Sequence, residues 1–432
     1  MKAPAALLLT ALLTLPLLSP AAIKQHERNI LQEAEAALRS RDTSAALKAL
    51  DDLIAQQPEN PAALFWRGRL LAEQGKYEKA LADLDAVIRL QPGNADAYSH
   101  RGYVRQKSGQ PDEAMADFNI ALRRDPNNEF ALYCRGLLLG DRGETRAALA
   151  DLDAVIELNP KNTDALHGRG QVYLARRDLT AALLDFDLCV NINPDDAIGY
   201  NGRGSVHFLQ GKFKESVADY TEAIKRMPKE ARMLAQRGYA FAGLGDTDKA
   251  AADFEGALKL DPKEGAALLG RAELRRTKKE WTGALADYEA ALAIAPDDFR
   301  GLLGRAAVFF GSGAFDKAIA AYGEVEKRYP DEPQPYNDHA WLLATGTQDG
   351  LRDGARAVEL ASKACELTHW ENAAYLDTLA AAYAEKGDFS EAVKWQELAV
   401  KLSEKEPPDV QTDIKSRIAL YEGKKPYREV PK

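Results

Sequence analysis

Proline recurs every 34 residues along most of this 432-residue chain. The nine prolines in register are Pro58, Pro92, Pro126, Pro160, Pro194, Pro228, Pro262, Pro296 and Pro330. Because proline lacks a backbone N–H and stops helices, a fixed spacing marks the same end of one repeated structural unit. With each proline in column 32, the units begin at residues 27, 61, 95, 129, 163, 197, 231, 265 and 299. The sequence therefore predicts a chain of repeats rather than about three globular domains.

Three other columns of the repeat keep one kind of side chain. Column 8 is glycine or alanine, column 20 is alanine or serine, and column 24 is leucine, phenylalanine or tyrosine. In the second unit these are Gly68, Ala80 and Leu84. Columns 20 and 24 lie four residues apart, on one helical face, and small residues let two helices approach closely. A turn such as Gly75–Tyr77 separates the two halves, so each unit is predicted to be helix, turn, helix and proline.

This pattern resembles the tetratricopeptide repeat (TPR) along residues 27 to about 406. The resemblance implies an all-α fold, a right-handed superhelical solenoid of about eleven helix–turn–helix repeats with a C-terminal capping helix. Nine 34-residue units occupy residues 27–332, and two further units occupy 333–406, the first of them with a lengthened loop between its helices. Residues 407–432 are predicted to be the capping helix and a basic tail, since the end of a solenoid needs a cap. The segment Asn337–Gln396 resembles a TPR module of large bacterial proteins, which implies a bacterial origin.

The chain opens with one positive residue, Lys2, and a 14-residue apolar run, Ala5–Leu18. A bilayer span needs about 20 apolar residues, so this run is too short to cross. Small residues follow it up to Ala21, where a signal peptidase would cut. We therefore predict a cleavable signal peptide, residues 1–21, that exports the protein to the periplasm or the exterior, with no transmembrane segment in the mature chain. An uncleaved anchor or a buried N-terminal helix is the alternative.

Composition excludes several classes of function. A net charge of −9 argues against nucleic acid as a partner, because phosphate binding needs a basic surface. Three cysteines, Cys134, Cys189 and Cys365, are too few for a disulfide framework or a four-thiolate zinc site, and are predicted to be buried thiols. The six histidines are scattered, and no phosphate-binding or nucleophile motif is present. We expect no enzymatic activity, no cofactor and no metal site.

Two charged columns run in parallel through the repeats. Column 7 is arginine at positions 67, 101, 135, 169, 203, 237, 271 and 305, and column 23 is aspartate at 83, 117, 151, 185, 219, 253 and 287. An arginine flanked by packing columns needs a partner, because an unpaired buried charge is costly. We predict ion pairs between the two helices of each unit. A row of arginines that binds an anionic ligand is the alternative.

The binding surface is predicted from the TPR resemblance, in which columns 2, 5, 9, 12 and 13 of the first helix face a concave groove. The residues carried over are Phe65, Arg69, Tyr103, Lys107, Phe130, Tyr133, His167, Gln171, Asn201, Arg232 and Tyr239. The second to fourth units contribute four aromatic residues beside two positive charges, a composition typical of protein-binding hot spots. Packing of these rings against the neighbouring first helix, or against the first unit, is the alternative.

The resulting hypothesis is a non-catalytic scaffold for protein–protein interaction, exported from the cytoplasm, that binds a peptide or helix of a partner protein in this groove. The alternative is a structural or carbohydrate-associated factor in cell-envelope assembly or polymer export. The sequence leaves the identity of the partner and the oligomeric state open.

The leader yields a first testable prediction. Because its apolar run is too short to span a bilayer and ends in small residues, the mature protein should begin at Ala22 or Ile23. Intact-mass measurement of the protein isolated from its native source checks this. A mass that retains residues 1–21 would contradict it.

Overall fold

The computed structural model describes residues 42–429 and, before them, Gln32 alone. The predicted signal peptide, residues 1–21, and, apart from Gln32, the first helix of the first unit lie outside the described residues. Over the described range the chain is helical and contains no strand. The predicted all-α fold of successive helix pairs is thereby confirmed.

The helices of residues 42–429 are numbered α1 to α22 in chain order. Their bounds are α1 Thr43–Gln56, α2 Pro61–Glu73, α3 Tyr77–Leu90, α4 Ala95–Lys107, α5 Pro111–Arg124, α6 Glu129–Asp141, α7 Thr145–Leu158, α8 Thr163–Ala175, α9 Leu179–Ile192, α10 Ala197–Leu209, α11 Phe213–Arg226, α12 Ala231–Gly243, α13 Thr247–Leu260, α14 Gly265–Thr277, α15 Trp281–Ile294, α16 Phe299–Gly311, α17 Phe315–Arg328, α18 Pro333–Thr345, α19 Gly354–Leu367, α20 Ala373–Lys386, α21 Phe389–Leu402 and α22 Pro408–Glu422. Two short 3-10 turns, Asp349–Leu351 and Ser403–Lys405, precede α19 and α22 respectively.

Local sequence sets the ends of each helix. Asn94 caps the first helix of its unit, α4, by accepting a hydrogen bond of 3.0 Å from the backbone N–H of Ala97. Gly75 follows α2 with φ of +72°, a left-handed conformation that glycine adopts without strain, and this turn starts α3. The second helix stops at column 30, two residues before the repeated proline.

The chain divides into two compact units, Met1–Met227 and Pro228–Lys432, and within each unit every described helix packs against the next. The core is built from the columns that the sequence keeps small or apolar. Gly102 shows why column 8 is small, since a Cβ atom there would lie 2.8 Å from the ring of Phe118, the column-24 residue of the same repeat. Real Cβ atoms do not approach carbon so closely, so the predicted tight contact between the two helices of a repeat is confirmed.

The C-terminal helices end the second compact unit. α22 inserts Ile414 and Tyr421 into the core formed by α18 to α21. The buried guanidinium of Arg417 binds the buried carboxylate of Asp377 at 2.8 Å, and Gln396 donates to the same carboxylate at 2.6 Å. This helix therefore covers the apolar side of the last repeat.

The charged columns form a ladder of ion pairs. In the fourth repeat, Nε and Nη2 of Arg135 each donate to Asp151 at 2.7 Å, and Nη1 donates to Asn119 of the preceding repeat at 2.7 Å. The same pairing of column 7 with column 23 occurs at Arg67, Arg101, Arg169, Arg203, Arg237 and Arg271. The predicted ion pairs are confirmed.

A second partner of these arginines was missed at the sequence level. Column 25 of the preceding repeat supplies Asp51, Asp85, Asn119, Asp153 and Asp187 to the five arginines from Arg67 to Arg203. Each of those guanidinium groups therefore ties its own two helices together and also binds the second helix of the repeat before. We call this arrangement the arginine ladder.

The arginine ladder yields the second prediction. Arg135→Leu leaves the carboxylate of Asp151, whose side chain is 9% exposed, without its guanidinium, and should lower the free energy of unfolding by roughly 2–4 kcal/mol. Thermal or urea unfolding followed by circular dichroism measures the change.

Arg305→Leu is the matched control. Column 23 of its repeat is Ala321, and Arg305 pairs instead with Glu324, whose side chain is 38% exposed. Its removal should therefore cost less than about 1 kcal/mol. Equal losses for the two variants would contradict the role assigned to the buried aspartates.

Candidate functional site: the first-helix face of residues 61–141

The first helices α2, α4 and α6 bring aromatic rings of three repeats into contact. The ring of Phe65 meets that of His100 edge-on at 5.0 Å, and His100 stacks on Phe130 at 4.4 Å. Tyr103 lies 5.7 Å from Phe130, and Trp66 lies 5.8 Å from Phe65. We call these five residues the aromatic strip. It forms because consecutive first helices lie side by side, so side chains at columns 2, 5, 6 and 9 meet across the helix boundary.

The rings are less exposed than the sequence indicated. Tyr133 is buried, with 8% of its surface exposed, and Arg69 is 6% exposed, although both were expected on the groove surface. Phe65, Tyr103 and Phe130 are half-buried. Packing against the neighbouring first helix, the alternative named above, accounts for the burial. What remains accessible is part of the surface of these three residues together with the exposed side chain of Lys107.

Two cations lie over the strip. The guanidinium carbon of Arg69 is 4.5 Å from the ring of Trp66, and Nζ of Lys107 is 5.4 Å from the ring of Tyr103. Burial lowers the pKa of Arg69 to about 10, partly offset by the charges of Glu73 and Asp96, so the group stays protonated at neutral pH. Cations over ring faces are stabilised by the ring quadrupole. The strip thus offers apolar contact area with positive charge at its edge.

His100 and Trp66 belong to the site although column 6 was not among the predicted groove columns. Nδ1 of His100 lies 2.9 Å from the backbone oxygen of Asp96, which fixes the ring between Phe65 and Phe130. Burial, with the charge of Arg69, holds the pKa of His100 well below its ordinary value of 6.5. The sequence contained a signal that could have identified these residues. Column 6 is Trp, His and Cys in the second to fourth units. The fifth, sixth, eighth and ninth units carry glycine there.

The remaining predicted residues lie apart from the strip. On α8, His167 and Gln171 contact each other at 3.1 Å between their Nε2 atoms, and burial lowers the pKa of His167 to about 4. Asn201 lies half-buried on α10. In the second compact unit, Arg232 is exposed and the hydroxyl of Tyr239 donates to the backbone oxygen of Ala266 at 2.9 Å. The structure therefore brings together Phe65, Arg69, Tyr103, Lys107, Phe130 and Tyr133 but not the other five.

Metal-ligating side chains and thiols were predicted to be scattered through the fold. The described residues contain no group of three His, Cys, Asp or Glu side chains arranged for a metal ion. Cys134, Cys189 and Cys365 are free and buried, and burial raises the pKa of each thiol, to about 12 for Cys189 and Cys365. Among the described helices, none has both the length and the apolar character needed to cross a membrane.

Comparison with known proteins identifies the repeat. A tetratricopeptide repeat model matches residues 31–95, 68–129, 133–197, 235–299 and 280–333, more than half of the chain, and a second model of the same repeat matches residues 372–406. A search of curated proteins returned no match.

Solved structures with similar folds include a chain of the APC/C hetero-tetramer Cut9–Hcn1. Its TM-score is 0.53 at 16% identity, covering 92% of this chain and 90% of that one. A tetratricopeptide repeat protein from Parabacteroides merdae is 24% identical, with TM-score 0.46, and covers 58% of this chain and 99% of that one. Yeast Tom70 is 14% identical, with TM-score 0.42, and covers 92% and 95%. At these identities the likeness to Cut9–Hcn1 shows the fold alone.

The buried imidazole of the strip yields the third prediction. His100 is neutral when folded, whereas in the unfolded chain it takes up a proton near its ordinary pKa of 6.5. Below that pH the unfolded state binds the extra proton, so wild-type stability should fall as pH falls. His100→Phe keeps a ring at this place without a titrating group. Relative to that variant, the free energy of unfolding of the wild type should drop by up to about 1.4 kcal/mol per pH unit below pH 6.5. Urea unfolding of both proteins between pH 5 and pH 8 measures this, and a difference independent of pH would contradict it.

Proposed function

Because the chain belongs to the tetratricopeptide repeat family, we propose that it is an exported, non-catalytic scaffold that holds a partner protein on the aromatic strip and Lys107. The fold is that of protein-interaction scaffolds, and the proteins that share it are generally non-catalytic. The specific part of the proposal is the place of binding, on α2, α4 and α6, and the form of the ligand, an extended or helical peptide segment.

The observation that carries the proposal is that Phe65 and Tyr103 are only half-buried and that the exposed Lys107 holds its Nζ 5.4 Å from the centre of the Tyr103 ring. Aromatic side chains already fixed by their neighbours lose little conformational entropy when a ligand packs on them. Aromatic residues with a nearby cation are also the usual anchors of protein interfaces. An apolar side chain of the partner would pack on the rings, and a carboxylate two or three residues away would pair with Lys107.

The arginine ladder supports Lys107 as the cation that a ligand binds, because the ladder arginines are already paired within the chain. In the first compact unit, Nε, Nη1 and Nη2 of Arg101 are all engaged by Asp117 and Asp85, and its guanidinium is largely sequestered. Arginines whose donors are occupied by carboxylates of the same chain are poor receptors for an added anion, because the ligand would have to displace a buried pair. The ladder therefore serves the fold, and Lys107 is the positive group of this face that a ligand reaches.

Export rests on the leader, residues 1–21, and on nothing in the described part of the chain. Removal of the leader takes Lys2 with it and gives the mature chain a net charge of −10, from −9 in the full sequence less one positive charge. A partner would accordingly be a protein of the same extracytoplasmic compartment.

The fourth prediction tests the site. Phe65→Ala, Tyr103→Ala and Lys107→Ala combined should reduce capture of partner proteins from the extracytoplasmic fraction of the source organism at least about tenfold, because the rings and the charge are removed together. Tyr133 is left intact because it is buried. Its truncation to alanine would lower the free energy of unfolding by roughly 3–5 kcal/mol, so a loss of capture could then reflect unfolding. Quantitative mass spectrometry of the captured proteins is the readout.

The matched control is Leu184→Ala with Leu188→Ala. These side chains are 62% and 46% exposed on the second helix α9, so their loss trims apolar surface outside the strip. This variant should capture the partner as the wild type does. Undiminished capture by the triple variant, with an unchanged circular dichroism spectrum, would refute the strip as the site. Retention by an immobilised envelope glycan instead of a protein would favour the carbohydrate-associated alternative.

A further inference from the structure

The C-terminal tail returns to the first-helix face of the second compact unit. After α22 ends at Glu422, the chain reverses at Lys424, which has φ of +54°. The segment Tyr427–Glu429 then runs along α18. The backbone N–H of Glu429 donates to the backbone oxygen of Thr345 at 3.0 Å, and the indole N–H of Trp341 donates to the carboxylate of Glu429.

The tail contacts the first helices of the last two repeats. Trp341 and Thr345 stand at columns 9 and 13 of the unit that begins at Pro333, and Glu385 stands at column 13 of the unit that begins at Ala373. Columns 9 and 13 belong to the set that faces the groove in the family. The tail therefore lies on columns 9 and 13 of the first helices, which the TPR resemblance assigns to the groove. We call this surface the terminal groove, formed by Trp341, Thr345, Glu385 and Arg417.

Each tail residue makes a contact of the kind a bound peptide makes. Nη2 of Arg428 binds the carboxylate of Glu385 at 2.6 Å. The ring of Tyr427 lies 5.7 Å from the ring of Trp341, and the guanidinium carbon of Arg417 lies 4.6 Å from the centre of the Tyr427 ring. An aromatic contact, an ion pair, an indole-to-carboxylate hydrogen bond and a backbone hydrogen bond together define one short recognition sequence, Tyr-Arg-Glu.

The tail is not what closes the solenoid. That role belongs to α22, which buries Ile414 and Tyr421 in the core and pairs Arg417 with Asp377. By contrast, Tyr427, Arg428 and Glu429 are each only half-buried. Tyr427 packs against the edge of this core, and Arg428 and Glu429 make polar contacts at the surface. A half-buried segment of three residues is released at far lower cost than a core helix.

We propose that the terminal groove is a peptide-binding site that the tail occupies in cis, and that its ligand is an extended segment of a partner protein carrying an aromatic residue followed by arginine and glutamate. The tail is an autoinhibitory strap, and a partner binds by displacing it. This site shares no residue with the aromatic strip, so either proposal stands if the other fails.

The test uses the full-length chain with the tail released by Tyr427→Ala, Arg428→Ala and Glu429→Ala. The probe is a fluorescein-labelled peptide of the wild-type sequence Gly423–Lys432, followed by fluorescence anisotropy up to about 1 mM. A tethered ligand has an effective concentration in the millimolar range, so the wild type should bind the probe at least about tenfold more weakly than the released variant. A probe with alanine at positions 427, 428 and 429 should not bind.

Glu385→Gln in the released background checks the receptor side, and should weaken probe binding about tenfold by removing the partner of Arg428. Arg428→Glu is a second way to release the tail if the triple variant unfolds at low temperature, because the new carboxylate is repelled by Glu385.

Failure of both folded release variants to bind the probe would overturn the proposal, as would equal binding by wild type and variants. A wild-type dimer in analytical ultracentrifugation that becomes monomeric in the release variant would also overturn it, because the tail would then be exchanged between copies.

Discussion

The first compact unit depends on one repeated interaction, in which an arginine side chain binds a carboxylate of its own repeat and a side-chain oxygen of the repeat before it. Arg101 binds Asp117 of its own repeat at 2.6 and 2.9 Å and Asp85 of the preceding repeat at 2.7 Å. Because the two oxygens of Asp117 are taken by two nitrogens of one rigid group, the pair fixes both the distance and the orientation of the helices that carry it. Repetition of this contact from Arg67 to Arg203 makes each repeat dependent on its neighbour, as expected of a solenoid whose stability is a sum of nearest-neighbour contacts.

The aromatic strip follows from that spacing. The first helices α4 and α6 lie close enough for His100 to stack on Phe130 at 4.4 Å. Since the ladder arginines are paired with aspartates, the positive charge that a ligand can reach on this face comes from Lys107 rather than from column 7. The terminal groove repeats the same composition, with Arg417 over Tyr427 and Trp341, but there a segment of the chain itself provides the ligand.

The sequence was sufficient for features that depend on residues close in the chain or fixed by the period. The helix pairs, the tight contact at Gly102 and the pairing of Arg135 with Asp151 all follow from columns of one repeat. The bond from Arg135 to Asn119 did not, because it needs the register between two repeats. Burial of Tyr133 was missed because a groove column gives the face of a helix but not how far the neighbouring helix covers it. The tail contact joins Trp341 to Glu429 across 88 residues, outside any period.

We infer that the ladder pairs are strongly coupled rather than incidental surface contacts. A double-mutant cycle on Arg169 and Asp185, with leucine and asparagine as the replacements, measures the coupling directly, because the pair is bidentate at 2.6 and 2.9 Å and Asp185 is almost fully buried. Urea unfolding of wild type, both single variants and the double variant supplies the four free energies. We predict a coupling energy of about 2 kcal/mol or more. A value below about 0.5 kcal/mol, the range of exposed ion pairs, would contradict the claim.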